Sequence, residues 1–276
     1  TTNQGGSTYN SLQVELKRRF AKGLLVGGSY TLSHSLSYGQ VLSLRDRTGV
    51  TFPSAFDQRH GLKLNWVYEL PWGPGRQFLS SVGNPVLRKA VEGWQISGIG
   101  RLQSGTPSEL LSGRATYNAS DAGVVLHNLT TSQLQSMMSI QKQGNGIVND
   151  LPQSLITNTL AAFQLIPQAV DPNAPYIGPA TTPGQFGNQI WLYGPWLQKW
   201  DVSLAKRTKI GEHQSIEFRA QALNVFNHPN FFLVPNSTGN ISINNLFGQT
   251  RSAYNDINST NDPGSRLLEF QLRYSF

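Results

Sequence analysis

Cysteine is missing from all 276 residues, which rules out a disulfide framework, a thiolate metal site and a cysteine nucleophile. Long apolar runs are missing too. No stretch approaches the ~20 apolar residues that a membrane-spanning helix needs, so helical insertion into a bilayer is excluded. A membrane β-barrel is not excluded, because its strands alternate apolar and polar residues and leave average hydropathy near that of a water-soluble protein. The mean hydropathy here is −0.31. Charge is also scarce: Asp, Glu, Lys and Arg make up 13%, against roughly 25% in ordinary domains. Glycine (27) and proline (15) are plentiful instead, a composition suited to strands, turns and long polar loops.

The few charges lean basic, with 22 Lys and Arg against 15 Asp and Glu, for a net +7. Such a balance raises nucleic acid or anionic lipid as partners. Apart from Lys17-Arg18-Arg19 the cations are scattered singly, so no nucleic-acid partner is expected. The chain opens on Thr1 without a signal sequence and reads as a fragment or processed product, so missing targeting signals carry no weight.

What is present is a rhythm of period-two segments. Residues 8–20 set Leu12, Val14 and Leu16 against Gln13, Glu15, Lys17 and Arg19. After the turn Ala21-Lys22-Gly23, residues 24–36 return with Leu24, Val26, Tyr30 and Leu32 on one parity. The same alternation recurs at 58–70, 92–106, 197–208, 214–226 and 267–276, and predicts seven strands. The last of them, LLEFQLRYSF, puts Leu268, Phe270, Leu272, Tyr274 and Phe276 on one face and Glu269, Gln271 and Arg273 on the other.

The connections alternate in length. The turns at 21–23 and 210–213 are short and the 71–91 link is intermediate, whereas 37–57, 107–195 and 227–265 are long loops. Short turns at one end and long loops at the other are the layout of an outer-membrane β-barrel, with short periplasmic turns and long extracellular loops. Residues 107–195 lack a clear strand period. They are expected to form a long extracellular loop holding two short helices, and a loop of that size in a compact domain is usually functional. One helix is expected at 131–142, with a Thr or Ser capping its first turn. The other is expected at 151–163, with Pro152 at its first helical position. Met137 and Met138 are expected to pack locally.

The expected fold is all-β: an antiparallel transmembrane β-barrel segment of about seven strands. Its apolar parity would meet lipid, with Tyr30, Trp66, Tyr68, Trp94, Trp200 and Tyr274 toward strand ends as aromatic girdles. The other parity carries Glu15, Lys17, Lys63, Glu69, Arg101, Asp201, Glu217, Arg219, Glu269 and Arg273. A soluble barrel would reverse the pattern, and the sequence alone does not say which face is outward. A barrel large enough for such loops leaves a wet lumen, which suits Glu217, Arg219, Glu269 and Arg273 facing inward. Single-chain bacterial barrels have an even strand number, and an unpaired edge is costly in lipid. Seven strands therefore call for upstream strands of the same protein.

Several motifs resemble the C-terminal barrel of TonB-dependent outer-membrane receptors, in particular the Oar-like group that carries a carboxypeptidase-regulatory-like domain. They are Phe56-Asp57-Gln58-Arg59-His60, the Tyr-Glu-Leu-Pro strand end at 68–71, Gly93-Trp94-Gln95-Ile96-Ser97-Gly98 and Pro183-Gly184-Gln185-Phe186-Gly187-Asn188. Phe218-Arg219-Ala220-Gln221-Ala222-Leu223-Asn224-Val225-Phe226-Asn227-His228-Pro229-Asn230-Phe231 and Phe247-Gly248-Gln249 fit as well. The resemblance covers nearly the whole chain in order. It implies the last third or so of a large plugged barrel, with an upstream plug and a segment that contacts the TonB complex. It also implies that the aromatic-ended last strand (Leu268, Phe270, Leu272, Tyr274, Phe276) is the assembly signal and closes the barrel. The expected location is the bacterial outer membrane, with outer-membrane lipid and an unknown small solute as partners.

Catalysis is not expected, nor is a cofactor. His34, His60, His127, His213 and His228 lack metal-ligand spacing, and no HExxH, GxSxG, P-loop or GxGxxG occurs in the setting it requires. His60 and His228 are expected to be structural residues at strand ends. Triplets such as Asn236-Ser237-Thr238 are polar loop in a bacterial protein. Trp191, Tyr193 and Trp196 either line a ligand vestibule or belong to the girdle and loop packing. The first functional expectation is energised import, with loops capturing solute. The alternatives are a surface adhesion protein anchored by its barrel and a soluble β-sandwich lectin.

Overall fold

Alternation on this scale builds a wall. In the computed structural model, which describes residues 5–41, 49–113, 123–144, 146–182, 187–231, 240–250, 253 and 264–276, the chain opens on β1 (Gly6–Ala21) and β2 (Leu24–Val41). Lys22 and Gly23 between them both take positive φ, 51° and 80°, the two-residue hairpin turn whose twist matches its strands. The short β3 (Gly49–Pro53) pairs with the far end of β2, and β4 (His60–Glu69) with its near part. A helix, α1 (Pro85–Val91), then leads to β5 (Trp94–Gln103).

From there the chain leaves the wall. It forms β6 (Pro107–Leu111), β7 (Val124–His127), α2 (Thr131–Met137), β8 (Gln141–Gly144), β9 (Ile147–Asn149), α3 (Gln153–Ala162), β10 (Tyr176–Pro179) and β11 (Ile190–Tyr193). It rejoins as β12 (Leu197–Lys209) and β13 (Ser215–Leu223). After β14 (Asn240–Ser242) and β15 (Gln249–Thr250), β16 (Leu267–Ser275) ends the wall. The wall order is β1-β2-β4-β5-β12-β13-β16, every pairing antiparallel, and the sheet is open with β1 and β16 at its edges.

Register carries one apolar face across the wall. Leu12 lies opposite Leu32, Tyr30 opposite Leu62, Trp66 opposite Gly98, Val202 opposite Ala222 and Ala220 opposite Phe270. The other face pairs Ser29 with Lys63, Lys63 with Arg101, Arg207 with Glu217 and Glu217 with Arg273. Leu16, Phe270 and Leu272 are each at least 70% exposed. An apolar surface this continuous is a contact surface for something other than water. Trp66 and Trp200 sit inside the wall rather than at strand ends. Each ring lies over the glycine opposite it, Gly98 and Gly100, where an added Cβ would collide with the indole.

The buried core lies elsewhere. Leu110, Val124, Leu134, Ile156, Ile177, Leu192 and Phe247 are almost completely buried, and all belong to one cluster in the 107–193 excursion and the 241–247 segment. Residues with water on all sides must find apolar partners within the protein, and each such burial contributes roughly 1.5–3 kcal/mol. The excursion is therefore a folded cap. Three small sheets build it: β11-β6-β14, β10-β7 and β15-β9-β8. Its stem continues the wall: Gln103 pairs with Leu197, and after a three-residue gap on each strand Pro107 pairs with Tyr193. The register is the same on both sides of the gap.

Other expectations need correction as well. Among the described residues the 107–195 excursion holds six short strands; runs of three to five residues are too brief to display a period. The 37–57 and 227–265 loops also contain strands, β3, β14 and β15, and β2 extends past 36 to Val41. The 131–142 helix stops at Met137, because Ser139 is drawn away to bond the Asp150 carbonyl (2.9 Å). Its start does follow the sequence, with Thr130 and Gln133 forming a reciprocal capping box. Pro152 is the N-cap of α3, one position before the expected site. Asn236-Ser237-Thr238 and the first four residues of the Pro183–Asn188 motif lie outside the described residues.

Candidate ligand site at the junction of cap and wall

The FDQRH segment is pinned where the wall meets the cap. Asp57 is fully buried and accepts from the Ser35 amide (2.6 Å), from His34 Nδ1 (3.2 Å) and from the Tyr193 hydroxyl (2.6 Å). Ser33 Oγ donates to the Gln58 carbonyl (2.5 Å), and its amide to the Arg59 carbonyl (3.0 Å). On the other side, His60 and Ser104 exchange two hydrogen bonds of 3.1 and 2.9 Å. A buried carboxylate needs such donors, and here they stitch one loop to β2, β5 and β11 together.

A cavity of about 400 Å³ opens at this junction. Tyr193 and Trp196 line it, with Arg59, Gln135, Met138 and Asp150. Trp191 does not; its ring stacks on Phe52 at 5.5 Å. Trp196 stacks on His60 at 5.6 Å, and His60 in turn shares a 2.8 Å hydrogen bond with the Tyr30 hydroxyl. Trp196 thus packs on a strand-end histidine and forms part of the cavity wall. Gln135 fixes the opposite side. It accepts from the Tyr193 amide (2.8 Å) and donates to the Tyr193 carbonyl (3.1 Å), locking α2 onto β11.

Two polar groups of this lining are left over. Arg59 Nη1 and Asp150 Oδ1 are buried, with no hydrogen-bond partner among the described residues. Burial pushes the Asp150 carboxyl up to about 7. Burial and the Asp57 carboxylate push the Tyr193 hydroxyl above the usual tyrosine range, so it stays a donor. The cavity thus offers a cation, a carboxyl balanced between its two forms and an aromatic plane. That set suits binding of a small polar molecule. Among the described residues no group of three or more His, Asp or Glu is placed to hold a metal.

Of the other sequence-selected residues His60 also lines the cavity, and those of β13 and β16 lie apart from it. Leu268, Phe270, Leu272 and Tyr274 occupy the apolar face of β16, with Tyr274 stacked on Phe276 at 5.8 Å. Glu217, Arg219, Glu269 and Arg273 share the opposite face: Glu217 faces Arg273 across the ladder and is ion-paired with Arg219 at 3.0 Å. The two histidines are structural neighbours of strand ends. His60 begins β4, and His228 exchanges two 3.0 Å bonds with the Asn224 side chain. In the same motif Asn230 imitates a strand residue, accepting from the Gln198 amide and donating to its carbonyl. Sequence reasoning missed Gln135 and Asp150, and it quoted Arg59 only within a motif. The one available signal was a lone carboxylate in the apolar surroundings Ile147-Val148-Asn149-Asp150-Leu151.

Residues 1–267 match the family model of an outer membrane beta barrel domain. No curated protein matches the sequence.

Proposed function

Because this chain belongs to the outer membrane β-barrel domain family, we propose that it is the C-terminal wall and cap of a TonB-dependent receptor of the Oar-like group. Its place in the bacterial outer membrane follows from the family. On this reading the polar face, with Glu217, Arg219, Glu269 and Arg273, lines the lumen beside an upstream plug. Upstream strands of the same protein pair with β1 and β16. An N-terminal segment receives energy from the TonB complex, and the 107–195 cap captures solute on the extracellular side. No reaction is assigned to the protein.

The observation that carries the capture role is the junction cavity with its two unpartnered buried groups, Arg59 Nη1 and Asp150 Oδ1. A buried polar group without a partner costs roughly 1–3 kcal/mol, and a ligand that satisfies both recovers that energy as affinity. The motif resemblance supports the TonB-dependent class.

The test is uptake by the complete protein in Gram-negative cells with and without TonB. A ferric siderophore, a maltodextrin, a dipeptide mixture and cyanocobalamin serve as labelled probes. Accumulation of at least one probe only when TonB is present, reduced roughly tenfold by Asp150→Ala, is the expected result. TonB-independent behaviour of all four, with surface attachment lost on deletion of 110–190, would instead establish the adhesion role.

A further inference from the structure

The link between β4 and β5 has a helix with no buried side chain. An isolated helix of seven residues is unstable in water, yet α1 is tied at both ends. Asn84 caps its start, accepting from the Val86 (2.9 Å) and Leu87 (3.3 Å) amides. At its end, Lys206 Nζ donates to the carbonyls of Lys89 (2.6 Å) and Glu92, and Trp94 Nε1 donates to that of Ala90 (2.8 Å). Lys206 and Trp94 lie opposite each other in the ladder, on the parity of Leu204, Phe218 and Phe270. The helix is therefore fastened to the apolar face at the short-turn end of the wall.

What this link presents outward is amphipathic. Phe78, Leu79, Val86 and Leu87 are all more than half exposed. Residues 71–93 carry Arg76, Arg88 and Lys89 against the single carboxylate Glu92. Lys89 pairs with Glu92 at 3.1 Å and Arg76 with Glu69 at 3.4 Å, both as solvent-exposed pairs that a phosphate can displace. In a barrel of this family the apolar face meets hydrocarbon and short turns lie at the periplasmic rim. Exposed apolar side chains beside cations, continuous with a lipid-facing surface, match the chemistry of a bilayer's headgroup boundary.

We propose that residues 71–93 form an amphipathic foot, with α1 lying in the headgroup region of the periplasmic leaflet and its cations against anionic phospholipid. Phe78, Leu79, Val86 and Leu87 enter the acyl boundary. Arg88 and Lys89 meet phosphates. Lys206 holds the helix at that depth by capping its last turn, its own stem lying along Trp94 with Nζ 5.4 Å from the ring centroid. The inference rests on family membership and is independent of whether the protein transports anything.

The absence of native cysteine in these residues makes a clean test possible. The full-length protein with Leu87→Cys carries one environment-sensitive fluorophore and is reconstituted into phosphatidylglycerol–phosphatidylcholine vesicles or into pure phosphatidylcholine. Glu212→Cys, in the β12–β13 turn, is the reference. Expected are a blue-shifted emission at position 87 and strong quenching by headgroup-region spin-labelled lipid in the anionic vesicles, with position 212 remaining aqueous. Docking should weaken about fivefold on Arg88→Gln and again on Lys89→Gln, because each cation near an anionic surface contributes on that scale. Equal quenching in both vesicle types overturns the anionic partner. A shielded label that spin-labelled lipid does not quench means that protein covers the helix, and an aqueous label in both means that nothing does; either overturns the proposal. Val86→Cys repeats the measurement if Leu87→Cys fails to assemble.

Discussion

The Tyr193 hydroxyl donates to the Asp57 carboxylate across 2.6 Å, joining residues 136 positions apart in the chain. One end of this bond is the last residue of the cap's β11. The other is the anchor of the loop that enters β4. The cap is thus clamped to the wall by a side-chain contact as well as by the chain itself.

Tyr193→Phe removes that donor and leaves a buried carboxylate with fewer partners. The cost is about 1–3 kcal/mol. Hydrogen exchange should show faster opening of the amides at 54–58 and 190–194, while the β12–β13 ladder exchanges at the parent rate. Equal protection in variant and parent would show the contact to be energetically idle.

Asp150 gives the cap a pH dependence of defined sign. Burial raises its carboxyl from 3.8 to about 7, so from about pH 4 to 7 the folded form holds a proton that the unfolded form has lost. This contribution is complete below the unfolded value and disappears as pH rises through 7. Between pH 5 and 8 it amounts to about 3 kcal/mol, at 1.36 kcal/mol per unit. Urea unfolding followed by tryptophan fluorescence should show the cap weaker at pH 8. Asp150→Asn should flatten the profile, and an unchanged slope in that variant would assign the effect to other groups.

Phe247→Ala opens a hole in the cap core, the cluster that Phe247 shares with Ile156 and Leu134. Truncating a buried phenylalanine costs about 3–5 kcal/mol. Limited trypsin digestion should then cut within 107–193, while the heat-modifiable gel shift that reports an intact barrel persists. Loss of both at once would mean that cap and wall unfold as one unit.

Phe276→Ser tests the end of β16. Its ring is 93% exposed, so the substitution removes no buried surface from the described residues. Outer-membrane levels in cells should fall sharply, with no loss of thermal stability in the fraction that assembles. Unchanged levels would refute a role for this ring in assembly.

The wall was legible in the sequence because strands of nine to eighteen residues repeat their alternation several times. Leu268, Phe270 and Leu272 announce one face without any knowledge of their neighbours. The cap was not legible. Leu110, Val124, Ile177 and Leu192 each sit in a strand of four or five residues, too short to distinguish alternation from chance. Their shared core exists only once distant segments meet. The site suffered the same way. Tyr193 and Trp196 stood out as aromatics, but Gln135 and Asp150 are ordinary residues made special by the cavity they enter.

The unbroken register between the cap stem and the wall bears on how such a chain folds. Pairing β5 with β12 across some ninety intervening residues carries a loop-closure penalty, and non-local pairings of this kind slow folding. A cap that condenses first brings Pro107 beside Tyr193, and with it the strand ends at Gln103 and Leu197. The remaining ladder can then zip outward one pair at a time, with its alignment already chosen. Condensing first in this way, the longest excursion in the chain would turn a distant search into a local one.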